Sequence, residues 1–223
     1  MKKVLIVSAH PEQASFCCSL KNEAKDYFTA NGYEVKESDL YAMNFNPVGD
    51  RTDFKALANS YFFKYQTEQI NAFQNNLFED NLKQEMEKLE WCDILIFNFP
   101  LWWFGLPAML KGWVDRVFAM GFVYGGGKGV YDAGVFKNKT ALVIMTTGGS
   151  EKTYIKNGRN GDIDTILFPI HHGMFYFTGM TVLPPFISWG PAGMTDLERQ
   201  NELERLKNYL GNIDSQVPIY TNR

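Results

Sequence analysis

The sequence predicts an α/β protein built on a doubly wound, five-stranded parallel sheet of strand order 2-1-3-4-5, with helices on both faces. Short strand-like runs alternate with segments of helical spacing, which is the pattern of parallel strands joined by right-handed helical crossovers. The most apolar run, Ile94–Phe99, is interrupted only by Asn98 and has the composition of a strand buried on both faces. A sheet of this order binds ligands at its carboxyl edge, where strands one and three part.

Five stretches fit the strands of that sheet. Apolar residues dominate the first, third and fourth stretches, the second alternates in part, and the fifth is short. In chain order the stretches are Lys3–Ala9, Tyr33–Asp39, Ile94–Phe99, Thr140–Thr147 and Met180–Leu183. No linker, repeat or low-complexity segment marks a second domain, so we expect one domain over residues 1–223.

Helical spacing and capping residues indicate the helices. Ser15 can cap the first helix, and Gly32 fits the position just past its end. Pro107 suits the first turn of the helix after the third strand, and Thr195 and Glu198 take the positions of a capping box before the last one. The predicted helices are Ser15 to about Asn31-Gly32, Phe78–Trp91, Pro107 to about Val117, Ile163–Phe177 and Thr195–Asn212.

The helix predicted over Ile163–Phe177 has very little polar face, and Pro169 and Gly173 lie inside it. Such a helix is either deeply buried or in contact with another subunit. If it were exposed on a monomer, its apolar face would exceed the ~300–600 Å² patch that soluble proteins normally tolerate. We therefore expect a homodimer, with Phe175 and Phe177 as the side chains that reach toward the partner.

The composition argues against several classes of partner. The net charge is -3, the pI is about 5.7 and no dense block of lysine and arginine occurs, so binding to nucleic acid or to an anionic membrane is not expected. The first apolar run is shorter than the ~7–15 residues of a signal peptide, and no stretch reaches the ~20 needed to span a bilayer. Cys17 and Cys18 are adjacent and cannot easily form a disulfide with each other, and with Cys92 they indicate reduced thiols in a cytoplasmic protein.

Three loops should meet at the carboxyl edge of the predicted sheet. They are His10–Phe16, Pro100–Phe104 and Thr146–Ser150. The first precedes a helix start, which favours an anion, and because it lacks the glycines of a Rossmann loop, His10 and Ser15 must help to hold that anion. Aromatic residues of the second loop can form a wall for a flat ligand, although such a run is otherwise typical of a core or an interface. In the third, the amides of Gly148 and Gly149 can approach a ligand closely.

Three longer stretches around these loops carry a family resemblance. They are Glu37–Pro47; Phe99–Gly105 with Pro107 and Leu110–Trp113; and Thr146–Ser150 with Tyr154, Gly158, Gly161 and Asp162. In these stretches, and more weakly from Lys3 to about Arg205, the sequence resembles the NAD(P)H:quinone oxidoreductases, that is, the DT-diaphorases and their relatives. That resemblance implies a flavodoxin-like fold, a homodimer, non-covalent FAD, and NAD(P)H as co-substrate.

The resemblance also implies a set of site residues. The implied FAD contacts are His10, Ser15, Phe16, Cys17, Pro100, Leu101, Trp102, Trp103, Phe104, Thr146, Thr147, Gly148, Gly149, Tyr154 and Arg199. The implied catalytic groups are Tyr154, Asn160 and the amides of Gly148 and Gly149. The implied substrate pocket contains Trp103, Phe104, Tyr124, Phe175 and Phe177.

Each part of the implied cofactor has its own contacts. His10, Ser15 and Phe16 would hold the pyrophosphate, and Arg199 would reach toward the adenosine half. Leu101, Trp103 and Phe104 would flank the isoalloxazine, whose polar edge would bond to residues 146–149. Tyr154 would lie beside the pyrimidine end of the ring.

The sequence departs from the family pattern at several of these positions. Trp102 replaces a common Gln, Cys17 replaces an Asn, and Lys64 replaces a Gln that contacts FAD across the dimer. Asn160 stands where the best-known members have a His, and an amide cannot take a proton. The second of two substrate-pocket tyrosines is lost in the glycine-rich stretch around Gly126, which is either a mobile loop near the site or a plain surface loop.

The adjacent pair His171 and His172 raises the question of a metal. Neighbouring residues on a helix point about 100° apart and rarely share one ion. Relatives that bind a metal here use a second His four residues further on and a Cys near the C-terminus, and Tyr176 and Tyr220 occupy those places. We therefore predict no metal.

The resulting hypothesis is a cytoplasmic FAD-dependent NAD(P)H:quinone oxidoreductase. It would carry out a two-electron, ping-pong hydride reduction of quinones and, by extension, of nitro or azo compounds. The alternative from another class is a flavin-binding regulatory subunit of a glutathione-gated potassium efflux system, because similar short proteins act in that way. An FMN electron carrier is disfavoured, since such carriers usually lack a second substrate's pocket.

Overall fold

A six-stranded parallel sheet lies at the centre of the computed structural model, which describes residues 1–220. Its strands are β1 (Lys3–Ser8), β2 (Glu34–Asp39), β3 (Ile94–Pro100), β4 (Thr140–Thr147), β5 (Thr181–Val182) and β6 (Phe186–Trp189). The α-helices in these residues are α1 (Phe16–Ala30), α2 (Tyr65–Asn75), α3 (Asp80–Trp91), α4 (Ala108–Val117), α5 (Ile163–Ile170) and α6 (Asp196–Gly211). The strand order β2-β1-β3-β4-β5 confirms the predicted fold class.

The edge of the sheet beside β4 differs from the prediction of a single fifth strand. β5 contains only two residues, which pair with Thr140 and Ala141. β6 pairs with the other half of β4, residues 144–147. Pro184 and Pro185 lie between β5 and β6, and because proline has no N–H to donate, a continuous edge strand cannot form through them. Two short strands therefore share the position predicted for one.

Both faces of β3 are buried, as predicted. Leu95 and Phe97 face a hydrophobic cluster that includes residues of α3 and α4, where the rings of Phe97 and Trp113 meet edge to face with centroids 5.8 Å apart. Ile94 and Ile96 face a second cluster, which includes residues of α1 and α6. The strand ends that support the candidate site are thus held from both sides.

The helix caps predicted for the first and last helices are present. Ser15 precedes α1, and its side chain accepts a hydrogen bond from the amide of Cys18 at 3.2 Å. Gly32, with a φ of 79°, follows the helix in a left-handed conformation that glycine adopts without strain. Thr195 and Glu198 form the expected capping box before α6.

Helix α2 lies in the polar stretch from Thr52 to Leu89, where the helical spacing is clearest only in Phe78–Trp91, so the prediction does not include it. Two of its three buried residues are polar: Glu68 and Gln69 accompany Ala72. The Glu68 carboxylate accepts hydrogen bonds from the amides of Ala58 and Asn59 at 2.7 and 3.1 Å. Because polar contacts rather than an apolar stripe hold α2, its hydrophobic periodicity is weak.

The predicted helix over residues 163–177 is divided. α5 contains Pro169 and is followed directly by a π-helical segment, His171–Tyr176. Proline removes a hydrogen-bond donor from a helix interior, and a π turn accommodates such an interruption. Phe175 is fully buried and packs against Phe97 with ring centroids 4.8 Å apart, so the expectation that it reaches toward a partner is wrong.

None of the helices described in residues 1–220 combines the length and the apolar composition that a membrane span requires.

Candidate functional site

Three neighbouring strand ends define the candidate site at the carboxyl edge of the sheet. Ser8 of β1 is in register with Asn98 of β3, and Pro100 of β3 with Thr146 of β4. The loops that follow these strands therefore leave the sheet side by side, across two strand spacings of about 4.8 Å each. This is the arrangement that the fold class predicts.

The loop after β1 presents hydrogen-bond donors to its surroundings. Nδ1 of His10 lies 3.0 Å from the amide nitrogen of Glu12, and we assign it as the acceptor of that N–H. Nε2 then carries the ring proton and can donate to a ligand. The amides of Phe16 and Cys17 belong to the first turn of α1, where the helix itself supplies no acceptor. Together these donors favour an anion at the helix start.

Side chains of β2 and α1 hold this loop in place. Gln13 Nε2 donates to Asp39 Oδ2 at 3.1 Å, and Lys21 Nζ lies 3.1 Å from the same oxygen. Burial alone would raise the pKa of Asp39, but hydrogen bonds from the Ala42 amide and Lys21 hold that pKa below its usual value. Asp39 therefore stays ionised at neutral pH and ties the loop to the end of β2.

The loop after β3 is strained and displays its aromatic side chains. Trp103 and Phe104 have φ values of 50° and 58°, a left-handed conformation that costs energy for residues other than glycine. Trp103 is 97% exposed and Phe104 49% exposed. The Trp102 ring instead turns toward His10, with centroids 6.2 Å apart. A strained backbone that exposes large rings at a sheet edge indicates a ligand-binding surface.

The loop after β4 brings bare backbone to the edge. A Cβ at Gly149 would lie 3.0–3.1 Å from atoms of Thr153, Asn160 and Tyr154, whereas nothing lies within 4 Å of the corresponding position at Gly148. Thr147 Oγ1 donates to the Gly149 carbonyl at 2.8 Å and shapes the turn. Within residues 1–220 the amides of both glycines lack an acceptor, so they are available to a ligand.

Tyr154 and Asn160 lie beside these glycines. Asn160 Nδ2 donates to Thr153 Oγ1 at 2.9 Å. The Tyr154 ring packs between Phe104 and Trp189, with centroid distances of 6.4 and 5.4 Å. Trp189, the last residue of β6, is a site residue that the sequence predictions missed, because the strand that carries it was not recognised.

Several other predicted cofactor contacts are less accessible. The Cys17 side chain is buried beside Asn98, and burial raises the pKa of its thiol to about 12, so only its backbone can meet a ligand. Pro100, Thr146 and Thr147 are buried strand residues. Arg199 lies on the first turn of α6 and donates to Asp196 Oδ1 at 2.9 Å. No contact within residues 1–220 joins Arg199 to the three loops.

Tyr124 and Phe177 form a separate pair. Their ring centroids are 5.9 Å apart, and both line a cavity of about 410 Å³ between α4 and the π-helical segment. Gln66 Nε2 donates to the Tyr124 hydroxyl at 3.1 Å. In the described part of the chain, no ring contact links this pair to Trp103 or Phe104.

The aromatic residues near the C-terminus occupy the place where a metal was considered. The rings of Tyr176 and Tyr220 stack with centroids 4.8 Å apart, and His172 lies 5.6 and 5.4 Å from them. His171 points into the core instead, where its Nε2 has no partner and burial lowers the pKa of the ring to about 4. In residues 1–220 no group of three or more His, Cys, Asp or Glu side chains could hold an ion.

Comparison with known proteins agrees with the family resemblance seen in the sequence, and it does so over nearly the whole chain. A family model described as a flavodoxin-like fold matches residues 2–210. The ribosyldihydronicotinamide dehydrogenase [quinone] of Pongo abelii is 42% identical over 219 residues, which cover 98% of this chain and 94% of that protein. NAD(P)H dehydrogenase [quinone] 1 of Cavia porcellus is 40% identical, over 99% of this chain and 80% of that protein.

A solved structure agrees with these relatives. A protein of Klebsiella pneumoniae, provisionally assigned as a quinone reductase, superimposes with a TM-score of 0.95 at 38% identity and covers all of this chain and 89% of its own. The chain therefore belongs to the NAD(P)H:quinone oxidoreductase family of enzymes with a flavodoxin-like fold.

Proposed function

We propose that this enzyme is an FAD-dependent NAD(P)H:quinone oxidoreductase in the cytoplasm, built as one domain. The observation that carries the proposal is the carboxyl edge itself. There the exposed rings of Trp103 and Phe104 stand beside the amides of Gly148 and Gly149, which have no acceptor in residues 1–220. A planar, acceptor-bearing ring fits between such a wall and such donors.

The residues present fit a flavin. The aromatic wall matches the isoalloxazine ring, the two glycine amides match its carbonyl edge, and the donors of His10 and α1 match its phosphates. When bound, the flavin supplies the hydride-accepting and hydride-donating chemistry, while the protein binds and orients the reactants. We propose FAD rather than FMN because the resemblance assigns Arg199 to an adenosine half.

The polar groups around Tyr154 have distinct proposed roles. The amides of Gly148 and Gly149 and the Tyr154 hydroxyl donate toward negative charge that develops at the carbonyl edge. Asn160 is fixed by its bond to Thr153, and its amide can donate a hydrogen bond but cannot accept a proton. Charge at this edge is thus stabilised by fixed dipoles.

The separation of the two aromatic pairs supports a homodimer. Tyr124 and Phe177 belong to the implied pocket, yet within residues 1–220 they have no ring contact with Trp103 or Phe104 and line a cavity that does not include them. A second copy could supply its own Tyr124 and Phe177 to complete the pocket over that wall. The nicotinamide donor and the quinone would then occupy this one pocket in turn.

The names of the relatives carry two kinds of donor, a dihydronicotinamide riboside and NAD(P)H. Both present the same nicotinamide ring, so the wall at Trp103 and Phe104 suits either. Groups outside the ring must decide between them. Both relatives are named as dehydrogenases, which favours an enzyme over the regulatory-subunit alternative.

Two measurements test the proposal. Flavin released by heat should run with FAD on chromatography, and recovery of FMN alone would contradict the cofactor assignment. Initial rates measured over a grid of NADPH and quinone concentrations should give parallel double-reciprocal lines, because the two substrates use one pocket in turn. Intersecting lines would show that both bind at once.

A further inference from the structure

In the part of the chain that the structure describes, the lysines and arginines are almost all engaged by other groups. Within residues 1–220 nearly every one has an ion pair, a hydrogen bond or a ring contact. The exceptions in that part of the chain are Lys137, Lys152, Lys156 and Arg159. Three of these cations lie in the loop of residues 150–162, which contains Tyr154 and Asn160. Three exposed cations without an acidic partner form a positive surface beside the candidate site, and such a surface attracts an anionic ligand.

Hydrogen bonds across its base fix the shape of this loop. The amide of Asn160 donates to the Thr153 carbonyl at 2.8 Å, and the amide of Ile163 donates to the Tyr154 carbonyl at 2.9 Å. Asn157, with a φ of 64°, makes the turn at the tip. Lys156 and Arg159 flank that turn and are exposed. Their charges therefore project from a closed loop that stands on the candidate site.

The loop lies against the ring-binding part of the site. A Cβ at Gly149 would come within 3.1 Å of both Asn160 and Tyr154, so the base of the loop touches the glycine turn. The donors at His10, assigned above to the flavin phosphates, follow β1, which lies two strand spacings or roughly 10 Å from β4 across the sheet. An anion held by the loop therefore belongs to a second ligand that shares the ring-binding edge.

We infer that Lys152, Lys156 and Arg159 bind the phosphate groups of a reduced nicotinamide dinucleotide. This inference rests on the proposed function, in which a nicotinamide ring occupies the edge beside Gly149. A dinucleotide places its phosphates several ångströms beyond that ring, whereas a nicotinamide riboside offers no anion to the loop.

The acidic residues of the loop do not neutralise these cations. Glu151 lies at the start of the loop, and Asp162, at its end, accepts a hydrogen bond from Thr165 Oγ1 at 3.1 Å where α5 begins. Neither makes an ion pair with Lys152, Lys156 or Arg159 in the described residues. Because both carboxylates lie at the base, whereas Lys156 and Arg159 flank the tip, the phosphates are expected to bind toward the tip.

Single variants of matched charge test the inference. Lys156→Gln and Arg159→Gln each remove one unpaired cation from the loop, and Lys137→Gln removes one that lies before β4, at the opposite edge of the sheet. Two measurements are made on flavin-loaded protein: calorimetric binding of NADP⁺, and KM for NADPH and for 1-benzyl-1,4-dihydronicotinamide, which carries no phosphate. Both are repeated at low and high salt.

Each loop variant should weaken NADP⁺ binding and raise KM for NADPH by about three- to tenfold, because charge-assisted bonds to phosphate are lost. The KM for the phosphate-free donor should stay at its wild-type value in every variant, and Lys137→Gln should bind NADP⁺ and use both donors like the wild type. High salt should weaken binding of the dinucleotide and leave the KM for the phosphate-free donor unchanged. Equal effects on both donors, or none on either, would overturn the inference. If wild type oxidises neither donor, the proposed function fails, and NADP⁺ binding alone decides whether the loop holds phosphate.

Discussion

At the residue scale, we predict that the Tyr154 hydroxyl speeds the reduction of the flavin. Its ring is held between Phe104 and Trp189, so removing the oxygen leaves the packing in place. Losing one donor to developing charge costs about 1–3 kcal/mol, and Tyr154→Phe should slow flavin reduction by NADPH roughly tenfold or more. Stopped-flow absorbance measures that rate. Tyr209→Phe, which removes a hydroxyl far from the site, should reduce at the wild-type rate, and an unchanged rate in Tyr154→Phe would refute the role.

Asn160 makes a prediction about pH. An imidazole at this position would titrate near a pKa of ~6.5, whereas the amide does not titrate. Flavin reduction in wild type should therefore change little between about pH 6 and pH 8, and Asn160→His should introduce a titration in that range. Stopped-flow reduction across this range tests the prediction, and a His-like titration in wild type would contradict it.

His171 should make folding stability depend on pH. Burial lowers the pKa of its ring to about 4, whereas an unfolded His has a pKa of about 6.5. The unfolded chain binds the proton more readily between these values, so this contribution to stability is present above pH 6.5 and is lost as the pH falls toward 4. It amounts to roughly 3 kcal/mol at most. Urea unfolding at pH 7.5 and 5.0 should show a steeper loss for wild type than for His171→Leu, and equal losses would count against the buried neutral ring.

The sequence motifs predict which residues lie near the site better than they predict where each side chain points. Trp103 and Phe104 were predicted as a wall, and the structure exposes both at the expected edge. Phe175 and Cys17 were predicted in contact with ligands, but both side chains are buried. A motif fixes the position of a residue along the chain, whereas side-chain direction here depends on the π turn and on the packing beside Asn98.

At the element scale, a buried ion pair fastens α4 to the loop before α2. Arg116 Nη2 lies 2.6 Å from Asp53 Oδ1, both side chains are almost inaccessible, and the Tyr65 hydroxyl donates to Asp53 as well. Asp53→Asn leaves Arg116 buried without its counterion and should lower the free energy of unfolding by about 3–5 kcal/mol. Asp115→Asn breaks the exposed pair with Lys111 and should cost less than about 1 kcal/mol. Urea denaturation compares the two, and similar losses would contradict this reading of the buried pair.

Elements with strong local signals were predictable and the others were not. β4 was predicted with its observed bounds, Thr140–Thr147, because it is a continuous apolar run. The sequence does not predict α2 and β6, because the contacts that stabilise them are made with residues elsewhere in the chain. α2 depends on polar contacts of Glu68 and Gln69, and β6 depends on pairing with β4 beyond two prolines.

At the scale of the whole molecule, the separation of the two aromatic pairs predicts a dimer. The mass in solution, measured by light scattering, should be twice that of the chain. Phe177→Asp places a charge beside Tyr124 in the proposed interface and should shift the mass toward the monomer and abolish quinone reduction. Phe73 is also exposed, but its ring packs on Phe122, away from the proposed interface. Phe73→Asp is therefore the control, and this variant should remain dimeric. A monomeric wild type with full activity would refute the shared pocket.

The overall architecture followed from the sequence more completely than the site did. Strand order, the position of β3 and the meeting of three loops all derive from apolar patterning, which is local. The placement of Trp189 against Tyr154, and the separation of Tyr124 from the rings of Trp103 and Phe104, depend on tertiary packing. Neither leaves a periodic signal in one sequence.

We propose that the carboxyl edge binds a flavin that accepts hydride from a nicotinamide and passes it to a quinone. The most direct test follows the visible spectrum of purified protein under anaerobic conditions. One equivalent of NADPH should bleach the absorbance of bound flavin near its long-wavelength band, and one equivalent of a quinone should then restore it in full. A flavin that stays oxidised with NADPH, or a bleached flavin that the quinone does not reoxidise, would show that the proposed function is wrong.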